Sequence, residues 1–345
     1  MLPFTVAVEN LRLDQAVVRR GESEWPLRAL ALAARFEAGL LRLDRLELQH
    51  AQGELALDGR VRLRNEYPLA LNLAARTELP QLGREQSVRA ELRGSVAELR
   101  VDASAEGAFA LRADAVLRPL QPALPFEVDV AWQRLSWPLE EPAAESLDGR
   151  LQVRGDLEAY RLGGRSLFRG QAFPEARLRL DGQGNLAAFA ADAVRIDTLG
   201  GSVEGRAAVG WRDGINWSAF FRLEQLQPER FWPDYPGRLS GMIGAGGDVV
   251  DGRWSLAVNQ LDVQGELLEQ PFALSGQVEG GAEGVWRIPE LQLRNGANLV
   301  NVGGSVGETL DLRGRFDLQE LAGLYPPLAG RVSGDFAVGG PPTEP

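Results

Sequence analysis

One pentapeptide in this chain has the form of a catalytic motif. Gly303-Gly304-Ser305-Val306-Gly307 matches G-x-S-x-G, a pattern that exposes a serine nucleophile when it sits on a strand-to-helix turn. That chemistry needs a base, and the single histidine, His50, lies far upstream in a surface or turn context. The flanks of Ser305 read as strand, so the pattern predicts a β-turn or bulge. Gly244-Ala245-Gly246-Gly247 has the glycine density of a phosphate-cradling loop, but the chain has no lysine and no helix signal follows. Glu140-Glu141 and the Asp248/Asp251 pair read as solvated turn charges. Asn216-Trp217-Ser218 is a formal glycosylation sequon on a predicted strand. There is no cysteine, hence no disulfide, thiolate ligand or thiol nucleophile. The residues therefore predict no catalytic set, no metal site and no cofactor.

What they do predict is a face. Leu69-Ala70-Leu71-Asn72-Leu73, Phe126-Glu127-Val128-Asp129-Val130-Ala131-Trp132 and Trp254-Ser255-Leu256-Ala257-Val258 alternate apolar with small or polar residues, and the pattern runs from end to end. Successive side chains of a β-strand point to opposite sides, so each such strand has one greasy and one wet face. Forty glycines and 20 prolines fit many strands with frequent turns. Mean hydropathy is −0.18, and no apolar run approaches the roughly 18 residues of a membrane-spanning helix. All 37 basic residues are arginine against 48 acids, a net charge of −11 that disfavours a nucleic-acid partner. Arg60, Arg62 and Arg64 share one face, read as a solvated exterior that blunts edge pairing.

Strands of about 6–9 residues are expected, with hairpin turns at Asp58-Gly59, Asp148-Gly149, Asp181-Gly182, Asp213-Gly214 and Asp251-Gly252, since both residues tolerate positive φ. The segment Leu27 to Phe36 is read as strand. Helical turns are expected where Asp317 caps Leu318-Gln319-Glu320-Leu321 and where Pro228 opens Leu226 to Phe231. A punctuation unit recurs: an aromatic-Pro pair, then apolar-x-Gly, then a second glycine six positions on. Its copies are Trp137-Pro138 with Gly149 and Gly155, Trp232-Pro233 with Gly241 and Gly247, and Tyr325-Pro326 with Gly334 and Gly340. Leu92-Arg93-Gly94 is a degenerate earlier copy. The first glycines lie 92 and 93 residues apart, room for about six or seven strands. Trp232 and Tyr325 are expected to fill a corner under the helical turn. The chain reads as one continuous repetitive segment, 1–345, of a longer protein, with sub-repeats 1–90, 91–145, 146–238, 239–331 and the start of another at 332–345.

The run Phe231-Trp232-Pro233-Asp234-Tyr235-Pro236-Gly237-Arg238-Leu239-Ser240-Gly241, with Asp251-Gly252-Arg253-Trp254-Ser255-Leu256 and Leu324-Tyr325-Pro326-Pro327-Leu328-Ala329-Gly330, resembles the repeat region of the TamB family of AsmA-like proteins. The resemblance is most specific over 210–345 and survives as pattern over 1–209. It implies a long periplasmic β-structure of a Gram-negative envelope, anchored in the inner membrane, whose apolar groove carries phospholipid between the two membranes. The family's anchor helix and the C-terminal domain implied to engage the outer-membrane partner TamA have no counterpart here, so that partner is not expected to bind through this segment.

Three packings can cover a one-sided sheet: a sandwich, a closed solenoid with a dry core, or an open trough. Periodicity leaves them open; the resemblance implies the trough. The fold class expected is therefore all-β, an antiparallel meander of amphipathic strands curved into an elongated, β-taco-like groove. About 20–25 strands at roughly 4.8 Å give a groove on the order of 100–120 Å. Its candidate lipid-facing residues, named by alternation, are Leu69, Leu71, Leu73, Phe126, Val128, Val130, Leu151, Val153, Trp217, Phe221, Trp254, Leu256, Val258, Phe272, Leu274, Leu291, Leu293, Leu310 and Leu312. A bulge in any strand is expected to swap its face. The function expected is a non-enzymatic conduit segment whose partners are phospholipid acyl chains; an assembly chaperone for outer-membrane β-strands and a structural spacer are the alternatives.

Overall fold

The computed structural model describes residues 5–20, 23–79, 84–138, 142–282, 284–321 and 329–341. The chain divides into two units, Met1–Gln171 and Ala172–Pro345. Unit 1 contains β1 (Val6–Arg20), β2 (Ser23–Glu37), β3 (Leu40–His50), β4 (Gly53–Arg62), β5 (Leu69–Leu79), β6 (Arg84–Gly94), β7 (Leu99–Glu106), β8 (Ala110–Leu117), β9 (Phe126–Trp137), β10 (Ala144–Gly155) and β11 (Tyr160–Gly170). Unit 2 contains β12 (Ala176–Gly184), β13 (Ala188–Thr198), β14 (Gly201–Gly210), β15 (Ile215–Leu226), β16 (Gly237–Val250), β17 (Arg253–Leu267), β18 (Gln270–Gly281), β19 (Trp286–Asn295), β20 (Asn298–Val306), β21 (Leu310–Leu318) and β22 (Val332–Gly340). Within each unit every strand pairs antiparallel with its neighbour in sequence. The fold is the expected all-β meander, and the sheet of each unit is open.

The strands run 8 to 15 residues, longer than expected. The reason lies partly in the Asp-Gly pairs. Asp213-Gly214 and Asp251-Gly252 do form turns, the latter with φ of +52° and +75°. Asp58-Gly59, Asp148-Gly149 and Asp181-Gly182 instead lie inside β4, β10 and β12. Gly59 holds φ +143°, and a Cβ there would stand 2.2 Å from the Ala70 carbonyl oxygen of the adjacent strand. These glycines serve close strand approach rather than reversal. Actual reversals use pairs such as Leu199-Gly200 and Leu268-Glu269, both residues at positive φ.

Leu27 to Phe36 falls in β2, as expected. Pro228 opens a short 3-10 turn, Pro228–Arg230, also as expected. Asp317, by contrast, caps no helix: β21 runs through it to Leu318, and Asp317 pairs with Leu299. Tyr325-Pro326 and Glu140-Glu141 lie outside the described residues. Trp232 does not fill a corner; it is 47% exposed, edge-on to Phe231 at 4.9 Å between ring centroids. The repeat glycines Gly149, Gly241 and Gly334 fall in β10, β16 and β22, six strands apart each time.

Those glycines have a packing role. Gly149 sits opposite Trp132, where a Cβ would fall 2.1 Å from the indole. The same pairing of large ring with glycine recurs at Phe221/Gly205, Trp286/Gly280 and Phe336/Gly314. A ring laid over a glycine shields backbone that no side chain covers. The Trp132 indole N–H donates to Ser146 Oγ at 2.6 Å, so the ring has little room to yield. Replacing Gly149 with Val should lower thermal stability by about 1–3 kcal/mol through overpacking. Gly281→Ala, where the nearest atom is 3.5 Å from the new Cβ, should melt close to the parent in the same calorimetric scan.

Candidate functional site

Register sorts the side chains. Across β4, β5 and β6, Leu69 stands between Val61 and Gly94, Leu71 between Gly59 and Leu92, and Leu73 between Leu57 and Ala90. Across β8, β9 and β10, Phe126 stands between Leu117 and Gly155, Val128 between Ala115 and Val153, and Val130 between Ala113 and Leu151. These rows run on through all eleven strands of unit 1. One of them reads Leu11, Leu32, Leu46, Leu57, Leu73, Ala90, Ala103, Ala113, Val130, Leu151, Gly164.

Unit 2 repeats the arrangement. Trp217 lies between Val209 and Gly247, Phe221 between Gly205 and Ile243, Leu256 between Gly247 and Gly280, and Val258 between Ala245 and Val278. Leu274 pairs with Val263 and Leu293, Leu291 with Gly276 and Val302, and Phe272 with Gly265 and Asn295. Leu310 and Leu312 pair with Val306 and Gly304, and Trp254 with Val249. Every residue named from alternation thus lies on the apolar face of its strand. Bulges do not swap that face. Register shifts fall at Val8/Leu11, Leu43/Leu46, Ala191/Val194, Val258/Leu261 and Ile288/Leu291. At each, the apolar spacing widens from two residues to three, and the extra residue returns the next apolar side chain to the same side.

The face is apolar but uncovered. Eighteen of the nineteen named residues are half-buried and Trp254 is exposed; none is fully buried. The buried apolar side chains of the described residues are few: Leu27, Ala105, Ala176, Ala191, Val194, Leu226 and Val263. The chain exposes 22060 Å². A compact protein of its 37.5 kDa would expose about 13,800 Å², and two compact halves about 16,600 Å². A sandwich or closed solenoid would bury these rows; an open single layer leaves them to whatever occupies them.

The opposite face carries the charge. Arg150 forks onto Asp129 at 2.7 and 2.9 Å, Arg315 onto Asp335 at 2.8 and 3.4 Å, and Arg169 reaches Glu145 at 3.0 Å. Arg60 and Arg62 are exposed there, as expected. Hollows of about 510 and 560 Å³ on this side lie between long polar side chains such as Arg89, Glu91, Asp102 and Arg112. Ser305 lies near the end of β20, paired with Asp311 and Arg287, not on a strand-to-helix turn. His50 ends β3, its Nδ1 accepting from the Gln52 N–H at 3.2 Å. Among the described residues no group of acids or histidine is placed to hold a metal ion, and no helix is long and apolar enough to cross a membrane.

Sequence reasoning missed the small members of the rows, Ala90, Ala103 and Ala113, because alanine also occurs on the polar face at Ala56, Ala70 and Ala74. It also missed β1 to β3, where Leu13, Leu30 and Leu48 continue the face in register. Apolar spacing of two or three was the available signal.

An antiparallel layer in each unit, apolar on one side and ion-paired on the other, defines a class of open all-β proteins with a one-sided apolar sheet. The TamB, N-terminal domain family matches residues 1–345, and the chain belongs to that family. It is 25% identical over 360 residues to the translocation and assembly module subunit TamB of Haemophilus influenzae, an alignment covering all of this chain and 28% of that relative. The chain thus spans little more than a quarter of the relative's length. No solved structure matches it.

The Asp129 carboxyl is held below its ordinary value of 3.8, first by the hydrogen bonds from Arg150 and then by that from Gln152. A depressed carboxyl stabilises the fold above its unfolded pKa and loses that contribution as pH falls through the folded one. Arg150→Ala should therefore be less stable than the parent at neutral pH, and the two denaturation curves should converge below about pH 4. Persistence of the gap at low pH would show that packing, not charge, sets it.

Proposed function

We propose that this chain is a non-enzymatic segment of a periplasmic lipid conduit. On this reading its apolar face shields phospholipid acyl chains between inner and outer membranes and so supports outer-membrane biogenesis. The observation that carries the proposal is the uncovered apolar face, continuous in register within each unit, with the ion pairs segregated to the other side. Leu69, Leu71, Leu73, Val128, Val130, Leu256 and Val258, with the other residues named from alternation, form the floor. Each CH₂ that a lipid tail buries there contributes about 0.8 kcal/mol. Rows of Leu, Val and Ala offer similar energy at successive strands, so a tail meets no deep trap and slides. Eleven strands at about 4.8 Å give each unit a floor of roughly 48 Å. Contact with TamA belongs, on this reading, to other parts of the full-length protein.

The Haemophilus relative's name speaks of assembly, and an assembly factor would hold nascent β-strands by edge pairing rather than on the floor. Native mass spectrometry with lipid extraction separates the two. Purified protein should carry phospholipid. Val128→Asp and Leu256→Asp, still folded by circular dichroism, should lose most of it, while Asp102→Asn on the polar face should keep it. A protein that never takes up added phospholipid would sink the conduit and leave the spacer.

A further inference from the structure

The apolar face of unit 2 ends differently at its two rims. At the rim of the turns that follow β13, β15, β17 and β19, side chains near the strand ends are buried. The Gln227 N–H extends the β14–β15 ladder onto the Leu199 carbonyl at 2.8 Å, as the Trp211 and Ala282 N–H groups extend ladders onto Ala187 and Trp254 at the other rim. Asn298, 2% exposed, clamps the main chain of Glu320, donating to its carbonyl at 2.9 Å and accepting from its N–H at 3.0 Å. Leu226, Val263 and Ser202 are buried beneath this rim.

At the opposite rim the outermost apolar row is Ile215, Val249 and Trp254, in register across β15, β16 and β17. All three are exposed, and the Trp254 ring lies 5.8 Å from that of Trp286, itself exposed. The turn between β16 and β17 is only Asp251-Gly252. Each of the two indoles has an arginine beside it in sequence, Arg253 and Arg287. Neither guanidinium makes a hydrogen bond or ion pair among the described residues. Alternation puts the indoles on the apolar side and the guanidiniums on the wet side of one edge. A hollow of about 480 Å³ on that edge is bordered by Val250, Arg253, Arg287, Asp248 and Glu279. One Asp248 oxygen accepts from Ser255 Oγ at 2.8 Å, and Glu279 is the register partner of Arg287.

We infer that this edge is the mouth through which phospholipid crosses onto the apolar face, and that the head group it fits is zwitterionic. The inference rests on the conduit reading. Tails pass over the indoles, whose rings suit an apolar–aqueous boundary. The phosphate is taken by Arg253 and Arg287, since a guanidinium matches a phosphate's paired oxygens. Asp248 and Glu279, on the same hollow, complement an ammonium and disfavour a purely anionic head group.

The test is stopped-flow uptake of an acyl-labelled lipid from vesicles, phosphatidylethanolamine in phosphatidylcholine against phosphatidylglycerol in phosphatidylcholine. The parent should take up the zwitterionic probe faster. Arg253→Glu with Arg287→Glu should slow that uptake about tenfold, a loss of the guanidinium–phosphate contact at the rim, with final occupancy unchanged. Arg253→Gln with Arg287→Gln should slow it less, in the same direction, and Arg60→Glu with Arg62→Glu should change neither quantity. A parent that takes up lipid at a rate these rim variants leave unaltered would overturn the mouth and spare the conduit. So would variants that lose occupancy at an unchanged rate. Equal or faster uptake of the anionic probe overturns the head-group assignment, and no uptake from either vesicle overturns the conduit and the mouth with it.

Discussion

A β-strand shows alternate side chains to opposite sides, and a one-residue slip between neighbours exchanges the two sets completely. In a sheet with a second layer, burial would correct such a slip. Among the described residues the sheet of each unit has no second layer of its own, so register keeps leucine with leucine and aspartate with aspartate. The bulges show how tightly this is held. Between Leu43 and Leu46, and again between Val258 and Leu261, two residues intervene instead of one, and the strand kinks by one residue to keep its apolar set aligned. Glycines opposite rings do the complementary work, letting a tryptophan such as Trp132 lie flat where a Cβ would collide.

The same register that assembles an apolar floor also assembles like charges on the reverse. Glu91, Asp102, Asp114 and Asp129 stand directly opposite one another across β6 to β9, an arrangement that costs stability in a sheet. Water on that face screens the repulsion. Arg150, one row over, forks onto Asp129 and offsets part of it. The two faces thus divide the physics: one relies on solvent to be tolerable, and the other keeps its apolar side chains together in rows.

Much of this was legible in the residues. Alternation at Leu69-Leu71-Leu73 and Phe126-Val128-Val130 identified strand, face and pairing partners' chemistry together, because all three follow from one period. Asp-Gly pairs misled because a glycine inside a strand and a glycine in a turn look alike in one dimension. Gly59 is needed by Ala70, eleven residues away and across a hairpin. The expected helix at Asp317 failed for a related reason: a local capping pattern yielded to the ladder that β20 and β22 offer on either side. The difference between the two rims was illegible, since it depends on contacts distant in sequence, and Asn298 reveals its role only through Glu320.

The recurrence of the glycine marks has a consequence for how such a chain can lengthen. In a meander, direction reverses at every strand, so a feature repeated after an odd number of strands would point up and then down. Within unit 2 Gly241 in β16 and Gly334 in β22 share a register row six strands apart, and within unit 1 Gly94 in β6 and Gly155 in β10 share one four apart. Both intervals are even. Duplication by whole hairpins therefore preserves polarity: each new copy arrives with its glycines toward the same edge and its leucines toward the same side. Length becomes a quantity that inheritance can adjust in steps of two strands, without redesigning either surface.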